Sequence, residues 1–565
     1  MSTMSPALKR LLEAAAARKQ ASLNSSAIPA TVAITPVSIS TAHTSLLYQD
    51  TERGITYNEK QSEAINFAKE GKSFVLVGAA GTGKTTCMKG AMNALIQSGI
   101  IPPYHNDGHK HLKGAVHGIV ISAFTRRAVA NIKKNLSHDM QGSCVTVHAA
   151  LEYAPTYYDV QDPVTLEYRT TMQFVPTRTK DRPLPESIKF CIIEESSMLG
   201  VDLFKQLQEA LPPGCRFIFL GDIQQLPPVF GSAILGFKML ELPVVELTEV
   251  YRQALDSPII SLAHRILSGV EMPLAELKDW TEKYSSKGLS FHPIAKRVHA
   301  EHILPKISAF LKGQILKGLL NPETDVVLTP FNKALGTLEL NKEIADFLTK
   351  QREAITYEII AGFNKHYYAV GDKVLYEKED AEIISISRNG LYYGSKIPMH
   401  PSKTLDRWGF DSAKGTDFAE ELSDDDFSPE QVDAILNSLA TSETEAEERK
   451  NEASHTITIR MLADDTEITL NKSAEINNLL LGYCLTVHKA QGSEWRKVYC
   501  IFHQSHNTMI ARELLYTAVT RAREELYVIC EPDTFTKGIT RQKVPGNTIE
   551  AKAEFFKGKK EKGDY

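Results

Sequence analysis

Long apolar segments are absent from this sequence of 565 residues. No apolar run approaches the ~18 residues that would indicate a membrane span. The N-terminus also lacks the apolar core of a signal peptide, so we do not expect secretion. Cysteine is scarce: the seven residues are an odd number, scattered, and without CxxC spacing. They are typical of small buried hydrophobic residues in a reducing compartment rather than of a disulfide framework.

An excess of positive charge is absent as well. The 64 basic and 69 acidic residues give a net charge of −5, which taken alone argues against a nucleic-acid-binding protein. The negative charge is concentrated, because residues 415–448 contain twelve acidic residues and no Lys or Arg. Without these twelve charges the rest of the chain would carry +7. Net charge therefore excludes no class of ligand.

The length predicts several domains, because a single hydrophobic core stops growing at about 250–300 residues. Short apolar, often β-branched runs alternate with amphipathic helical stretches, which is typical of buried parallel strands in an α/β fold. The pattern occurs within residues 51–255 and again within 256–365 and 476–535. The predicted strands are residues 74–77, 118–123, 190–193, 217–220, 326–329, 499–502 and 526–530.

Three segments differ from this pattern. Residues 1–50 are predicted to be a flexible leader, with a mitochondrial transit peptide in residues 1–20 as the alternative. Residues 367–393 contain turn sequences between short runs and predict a small antiparallel β-barrel, inserted within residues 366–475. Residues 536–565 are basic and are predicted to form a C-terminal tail.

The strongest chemical signal follows the first predicted strand, where residues 78–85 match the phosphate-loop pattern in full. Glycines let backbone N–H groups approach phosphates, and the N-terminus of the following helix favours anions. Lys84 would reach the β- and γ-phosphates, and the Thr85 hydroxyl would ligate Mg²⁺. The sequence predicts an NTP site formed by Gly78, Ala79, Ala80, Gly81, Thr82, Gly83, Lys84, Thr85 and Thr86.

Polar side chains also follow two later strands. Glu194 and Glu195 end the strand at residues 190–193, where two carboxylates are poorly explained as core residues. In a phosphate-loop NTPase the first would hold the Mg²⁺ shell and the second would polarise the attacking water. Asp222 and Gln225 follow the next strand, at the carboxyl edge where parallel sheets bind ligands.

The ordered motif set resembles superfamily 1B DNA helicases, in the RecD-like and phage Dda-like branch. Residues 57–61 are similar to its adenine-reading motif, with Gln61 facing the base. Residues 247–253 resemble the segment whose Arg252 reaches the γ-phosphate, and residues 515–523 the motif in which Arg521 is the arginine finger. The resemblance also places Glu494 at the nucleotide, and implies single-strand contacts by Thr125, Arg126, His148, Thr486, His488 and Lys489.

The resemblance implies two RecA-like domains that close on one Mg·ATP, with Gln225, Arg252 and Arg521 reporting the state of the γ-phosphate. It also implies a strand-separating β-hairpin at about residues 152–180 and an SH3-like subdomain. The implied activity is 5′→3′ DNA unwinding in replication, recombination or repair. Expected partners are single-stranded and forked DNA and a single-strand-binding or replisome protein, with no membrane. We expect a monomer in the cytoplasm of a bacterial or phage-infected cell, or in mitochondria if residues 1–20 are a transit peptide.

Two features depart from the family. Glu194 occupies a position where the family has Asp, and the extra methylene favours a water-mediated Mg²⁺ contact. The acidic segment 415–448 has no counterpart, and we interpret it as a solvated arm that repels DNA or docks a basic partner. Because Glu194 is unusual, an alternative function remains: an ATP-gated module that binds or loads single-stranded DNA and unwinds little. A small-molecule kinase is a competing enzyme class, but it needs only one α/β core and no arginine finger such as Arg521, so the sequence disfavours it. A metal cluster at residues 105–111 is a separate and weaker alternative.

Overall fold

Two parallel β-sheets flanked by helices form the framework of the chain. The computed structural model describes residues 49–50, 55–99, 109–112, 118–161, 168–228, 231–250, 256–362, 364–376, 379–389, 452–462 and 465–563. The leader 1–48, the acidic segment 415–448, Arg252 and His105 lie outside the described residues. No described helix is long and apolar enough to cross a membrane.

The first sheet has six strands, all parallel. From edge to edge they are Val244–Leu247, Phe74–Gly78, Arg216–Gly221, Phe190–Ile193, Ile119–Ala123 and Cys144–Thr146. The associated helices are Glu59–Lys69, Lys84–Gln97, Arg126–Lys134, His138–Gln141, Val147–Ala150, Val201–Ala210 and Ile234–Glu241, with a 3₁₀ turn at Ser196–Met198. A two-residue strand pair, Gln49–Asp50 with Ile55–Thr56, precedes them.

The second sheet has five parallel strands. In order they are Leu289–Pro293, Ala522–Cys530, Trp495–Phe502, Val326–Thr329 and Cys484–Thr486. Its helices are Pro258–Leu267, Leu274–Tyr284, Ala300–Leu316, Thr337–Gln351, Val487–Ala490, Arg512–Val519 and Pro532–Thr540, with 3₁₀ turns at Ser285–Lys287 and Gln504–His506.

The seven predicted strands are the seven inner strands of the two sheets. Inner strands are buried on both faces and therefore read as continuous apolar runs, such as the fully buried Phe190–Ile193. All four strands that were not predicted lie at sheet edges. They have only three to five residues, and polar residues interrupt their apolar pattern.

The two sheets share a local unit at one edge, formed by residues 144–150 and 484–490. In each unit a three-residue edge strand ends in a threonine and leads directly into a one-turn helix. The threonine side chain caps that helix by accepting the backbone N–H three residues later, at 3.1 and 3.3 Å. The second helical residue is a histidine in both units, His148 and His488. Equivalent positions of the two cores therefore present the same short unit.

An antiparallel segment is inserted between the helix Thr337–Gln351 and the second sheet's edge strand. Its five-stranded sheet has the order Glu467–Lys472, Glu452–Met461, Glu379–Arg388, Lys373–Tyr376 and Leu480–Leu481. A hairpin of Thr356–Ala361 and Asn364–Ala369 and the helix Ser473–Asn477 belong to the same segment. Antiparallel strands were predicted here within residues 366–475; the segment runs from the hairpin strand Thr356–Ala361 to the strand Leu480–Leu481.

A second hairpin leaves the first core between Ala154–Gln161 and Tyr168–Val175, within the predicted range 152–180. Its base holds a buried ion pair, in which Arg178 Nε donates to Glu152 Oε2 at 2.8 Å. The Lys110 N–H donates to Glu152 Oε1 at 2.7 Å. Burial would raise the pKa of Glu152, but these hydrogen bonds bring it to about 2.

His109 is also structural rather than part of a metal cluster. Its Nε2 lies 2.9 Å from the Ala150 carbonyl oxygen, while its Nδ1 accepts the Leu112 N–H at 3.0 Å. Burial lowers the pKa of His109, so the ring is neutral at pH 7. In the described parts of the chain no group of three or more His, Cys, Asp or Glu side chains could hold a metal ion. The seven cysteines are free, and six of them are buried, as predicted.

We expect Glu152→Gln to lower the free energy of unfolding by about 3 kcal/mol, because it leaves the buried Arg178 charge without its partner. The pKa of Glu152 is below its unfolded value, so its stabilising effect is full above about pH 4.5 and is lost as pH falls towards 2. Urea denaturation between pH 8 and 4 measures this difference, which should be constant down to about pH 4.5. The control is Glu186→Gln, an exposed position on the loop that contains Arg178; equal stability of the two variants would contradict the role of Glu152.

Residues 536–565 do not form the predicted tail. They complete the helix Pro532–Thr540 and form a further helix, Ile549–Glu561. Phe556 of this helix is 3% exposed and packs against Phe237 with the ring centroids 5.3 Å apart. The segment was predicted to be a tail because of its many lysines, although a few apolar residues pack it against the rest of the fold.

Candidate functional site

The phosphate loop lies between the inner strand Phe74–Gly78 and the helix Lys84–Gln97. Gly81 and Gly83 both have φ of 81°, a conformation that favours glycine, and they turn the loop into the helix. Lys84 Nζ donates to the carbonyl oxygens of Gly78 and Ala79, at 2.7 and 3.0 Å. The lysine is therefore folded over its own loop, where it faces the space that a phosphate chain would occupy.

Glu194 and Glu195 follow the strand Phe190–Ile193, which is the second strand from Phe74–Gly78 in the sheet, and the charge of Lys84 acts on both. Both are half-buried. Burial and the adjacent Glu195 raise the pKa of Glu194 to about 7, against an opposing effect of Lys84. Burial also raises the pKa of Glu195, and the charges of Arg521 and Lys84 oppose that rise. Glu195 has φ of 51°, so this carboxylate is presented from a left-handed backbone position.

Tyr516 of the second core reaches the phosphate loop. Its hydroxyl accepts the Ala80 N–H at 2.7 Å and donates to Asp222 Oδ2 at 2.5 Å. The adjacent Thr517 accepts the Leu226 N–H on its Oγ1 at 2.9 Å. Hydrogen bonds thus join the helix Arg512–Val519 to two loops of the first core, directly at the candidate site.

Arg521 follows that helix and is 4% exposed. Its guanidinium donates to the carbonyl oxygens of Thr517 and Ser493, at 3.0 and 3.2 Å, and to Thr520 Oγ1 at 3.1 Å. Although these contacts hold it within the second core, its charge acts on Glu195 across the junction. A group placed between the cores would therefore meet Arg521 on one side and the phosphate loop on the other.

The residues present fit a nucleotide with a divalent cation. Gln225 is 7% exposed, and its Oε1 is buried without a hydrogen-bond partner among the described residues. Buried polar atoms normally have a partner, and a bound nucleotide or its water could supply one here. Oxygen donors suit Mg²⁺; Thr85 lies in the first turn of the helix after the loop, and the charge of Lys84 acts on Glu194. A cation here would also offset the effects of burial and of the adjacent Glu195, which raise the pKa of Glu194.

The remaining predicted nucleotide residues differ in how far the structure describes them. Gln61 is fully buried and caps its own helix, because its Oε1 accepts the Asn58 N–H at 3.2 Å. Glu494 lies close enough to Glu195 for its charge to raise that group's pKa. Arg252 lies outside the described residues. The assignments of these residues to the nucleotide stay predictions.

A cavity of about 1200 Å³ runs between the two cores and the antiparallel segment. Thr125, His488 and Lys489 line it, whereas His148 lies behind its wall, in ring contact with the lining residue Phe124 at 5.8 Å. A second cavity of about 730 Å³ shares Leu375, Leu480 and Lys489 with the first. We call these two adjacent cavities, together with the residues that they share, the channel.

Arg126 and Arg127 connect the first core to the antiparallel segment. Arg126 Nη1 lies 3.7 Å from Glu379 Oε1, and Arg127 pairs with Asp380. Arg127 also lies over the ring of Trp495, with its Cζ 5.3 Å from the ring centroid. Of these charged side chains, Arg127 lines the channel.

Sequence motifs located the loops but not these pairings. Tyr516 and Thr517 were included in a motif without a role, and Asp380 was in none. Their partners lie 253 to 436 positions away in the chain. No local pattern encodes such a pairing, because it depends on how the two cores meet.

Comparisons with known proteins agree with these motifs. Residues 61–231 match the family described as AAA domain, and residues 481–529 match the UvrD-like helicase C-terminal domain. The chain is 26% identical over 496 residues to the ATP-dependent RecD2 DNA helicase of Deinococcus radiodurans, covering 87% of this chain and 51% of that protein. It is 33% identical over 221 residues to the ATP-dependent DNA helicase dda of Enterobacteria phage T4, covering 37% of this chain and 42% of that protein.

More distant similarities extend over most of the chain. The RecBCD enzyme subunit RecD of Mycobacterium tuberculosis is 20% identical over 510 residues, covering 86% of this chain and 71% of that protein. A crystal structure of Pif1 helicase from Bacteroides with ADP-AlF3 and ssDNA covers 90% of this chain and 98% of its own, at 15% identity and a TM-score of 0.44. The chain spans about half the length, or less, of the RecD2 and dda proteins that it matches.

Proposed function

We propose that this chain, a relative of the RecD-like and Dda-like helicases of superfamily 1B, is an ATP-driven DNA helicase that moves along a single strand. The observation that carries the proposal is the junction of the two cores. Tyr516 and Arg521 of one core face the phosphate loop and Glu195 of the other. A cationic channel crosses the same junction. One nucleotide can therefore alter the relative position of the two surfaces that hold a strand.

In the proposed hydrolysis the N–H groups of the phosphate loop and Lys84 hold the phosphates. Glu195 accepts the proton of the attacking water, a task favoured by its raised pKa. Arg521 stabilises the charge that develops on the transferring phosphoryl group. Mg²⁺, held by Thr85 and Glu194, would supply further charge neutralisation. Gln225, Arg252 and Arg521 would report the state of the γ-phosphate, and Gln61 and Glu494 would contact the rest of the nucleotide.

In the proposed DNA path the strand lies in the channel against Thr125, His488 and Lys489. Arg126, His148 and Thr486 do not line the two cavities, and we propose their contacts with the strand by the resemblance alone. Basic groups facing phosphates, with aromatic rings nearby, suit a strand held without sequence preference. The two cores would be RecA-like domains and the antiparallel segment an SH3-like subdomain. The hairpin Ala154–Gln161 with Tyr168–Val175 would be the strand-separating pin. We assign 5′→3′ polarity by the resemblance alone.

The decisive experiment combines ATPase rates with and without single-stranded DNA and a strand-displacement assay. We expect DNA to stimulate hydrolysis and a duplex with a 5′ tail to be unwound, while a blunt duplex serves as the control. Unwinding only from a 3′ tail would overturn the polarity. DNA binding and ATP binding without turnover would favour the ATP-gated binding module, which the unusual Glu194 supports. Transfer of the γ-phosphoryl group of ATP to a small molecule, with release of ADP, would favour a kinase.

The wider setting is proposed on the same basis. The chain would act as a monomer on single-stranded and forked DNA during replication, recombination or repair, together with a single-strand-binding or replisome protein. We propose action in the cytoplasm of a bacterial or phage-infected cell.

A further inference from the structure

We infer that the helix Ile549–Glu561 forms a third wall of the channel and that Lys559 binds a backbone phosphate of the single strand. The inference rests on the proposed function, and it concerns a segment that no motif includes. Lys559 and its neighbour Ser232 both line the 1200 Å³ cavity, together with Lys489.

The second core anchors this helix through the chain that leads to it. Glu513 accepts the backbone N–H groups of Lys543 and Val544, at 3.0 and 3.1 Å. Arg512 donates to the Ile539 carbonyl oxygen at 2.8 Å. Lys552 is fully buried, and its Nζ donates to the Val544 carbonyl oxygen at 3.1 Å. Buried charged groups with these partners fix the start of the helix against the second core.

The first core holds the other half of the helix. Phe556 fills the space above Gly236, where a Cβ atom would come within 2.3 Å of the ring. Any larger residue at position 236 would therefore displace the helix. Lys560 Nζ also lies 2.9 Å from Glu241 Oε1 on the same helix of the first core. The helix Ile549–Glu561 thus contacts both cores, and its position beside the channel is defined.

Lys559 differs from the lysines around it. Lys557 and Lys560 each lie within 4 Å of a glutamate, at 3.5 and 2.9 Å. Among the described residues Lys559 has no carboxylate within that distance; its Nζ donates to the neutral Ser232 Oγ at 3.0 Å. Its charge is therefore not neutralised within the fold, and it faces the cavity.

The chemistry of the cavity wall favours a phosphate as the group that Lys559 meets. Burial, with a smaller effect of Lys543, lowers the pKa of His488 to about 4, so that ring is neutral at pH 7. The cations that line the cavity are Arg127, Lys489 and Lys559, against one carboxylate, Asp202. A compact ammonium group binds a phosphate as a point charge and reads no base. Lys559 should therefore add affinity without sequence preference.

The test compares Lys559→Ala with Lys557→Ala, a matched change on the same helix. We expect Lys559→Ala to weaken binding of a labelled oligothymidine about 3- to 10-fold and to reduce the slope of log K against log salt by about 0.7, the value for one phosphate contact on a single strand. Lys559→Arg should restore both quantities. Lys557→Ala should keep the affinity, the slope and the DNA-free ATPase rate of the wild type.

Lys489→Ala separates this inference from the proposed function. If the wild type does not bind single-stranded DNA, the proposed function fails. If the wild type binds and Lys489→Ala weakens binding, but Lys559→Ala behaves as Lys557→Ala, only the role of Lys559 is overturned. Weaker binding by Lys559→Ala with an unchanged salt slope would also overturn it, because that result indicates a structural effect rather than a lost phosphate contact.

Discussion

Arg521→Ala should lower the maximal rate of ATP hydrolysis about 10³-fold or more, while nucleotide binding remains. The guanidinium lies in the second core, and its charge reaches Glu195 in the first core. Its present partners are Thr517, Ser493 and Thr520, all within the second core. Closure of the cores on ATP would exchange these neutral acceptors for phosphate oxygens. Steady-state ATPase assays with saturating DNA, and titration with a fluorescent ADP, measure the two effects.

Arg523→Ala is the matched control, because Arg523 is exposed and lies two positions further on. Arg521→Lys keeps the charge but loses the planar fork of donors, so we expect an intermediate rate. A rate for Arg521→Ala within 10-fold of the Arg523→Ala rate would refute the arginine-finger assignment. Loss of ADP binding in Arg521→Ala would instead indicate a disturbed junction, since the change removes one donor from each of the Thr517 and Ser493 carbonyl oxygens.

Glu195→Gln should reduce hydrolysis about 10²- to 10⁴-fold, the range for loss of a general base. The amide has nearly the same shape but cannot accept the proton of the attacking water. Burial raises the pKa of Glu195, while the charges of Arg521 and Lys84 oppose that rise, and a raised pKa favours proton acceptance by this carboxylate. Binding of ATP and of single-stranded DNA should persist, so the variant should trap the complex. Single-turnover hydrolysis measures the chemical step directly.

The control for this variant is Glu209→Gln, which changes an exposed glutamate on the helix Val201–Ala210. It should retain the rate of the wild type. If Glu195→Gln hydrolyses ATP at that same rate, another group activates the water. Glu194 would then be the first alternative, because its pKa of about 7 also suits a base.

The inner strands and the loops that follow them could be predicted from sequence because burial on two faces leaves a continuous apolar run. Phosphate-loop residues could be predicted for a related reason, since each position has a local chemical task. Edge strands could not, because one partner strand allows polar residues such as Glu246 in Val244–Leu247.

Contacts between distant elements were also beyond prediction. Tyr516 is an ordinary apolar helix position in the sequence, and only the docking of the second core shows that its hydroxyl reaches Ala80 and Asp222. The same holds for Phe556, whose pocket exists because position 236 of a different helix is glycine. Such contacts depend on complementarity between surfaces, which no local pattern records.

The repeated edge unit has a consequence for measuring motion in solution. Residues 144–150 belong to one sheet and residues 484–490 to the other, and a threonine cap holds each one-turn helix to its strand. Each histidine therefore moves as a rigid marker of its own sheet. Labels at positions 148 and 488 would measure the distance between these two points, one in each sheet. A change in that distance through the nucleotide cycle would report movement of one sheet relative to the other.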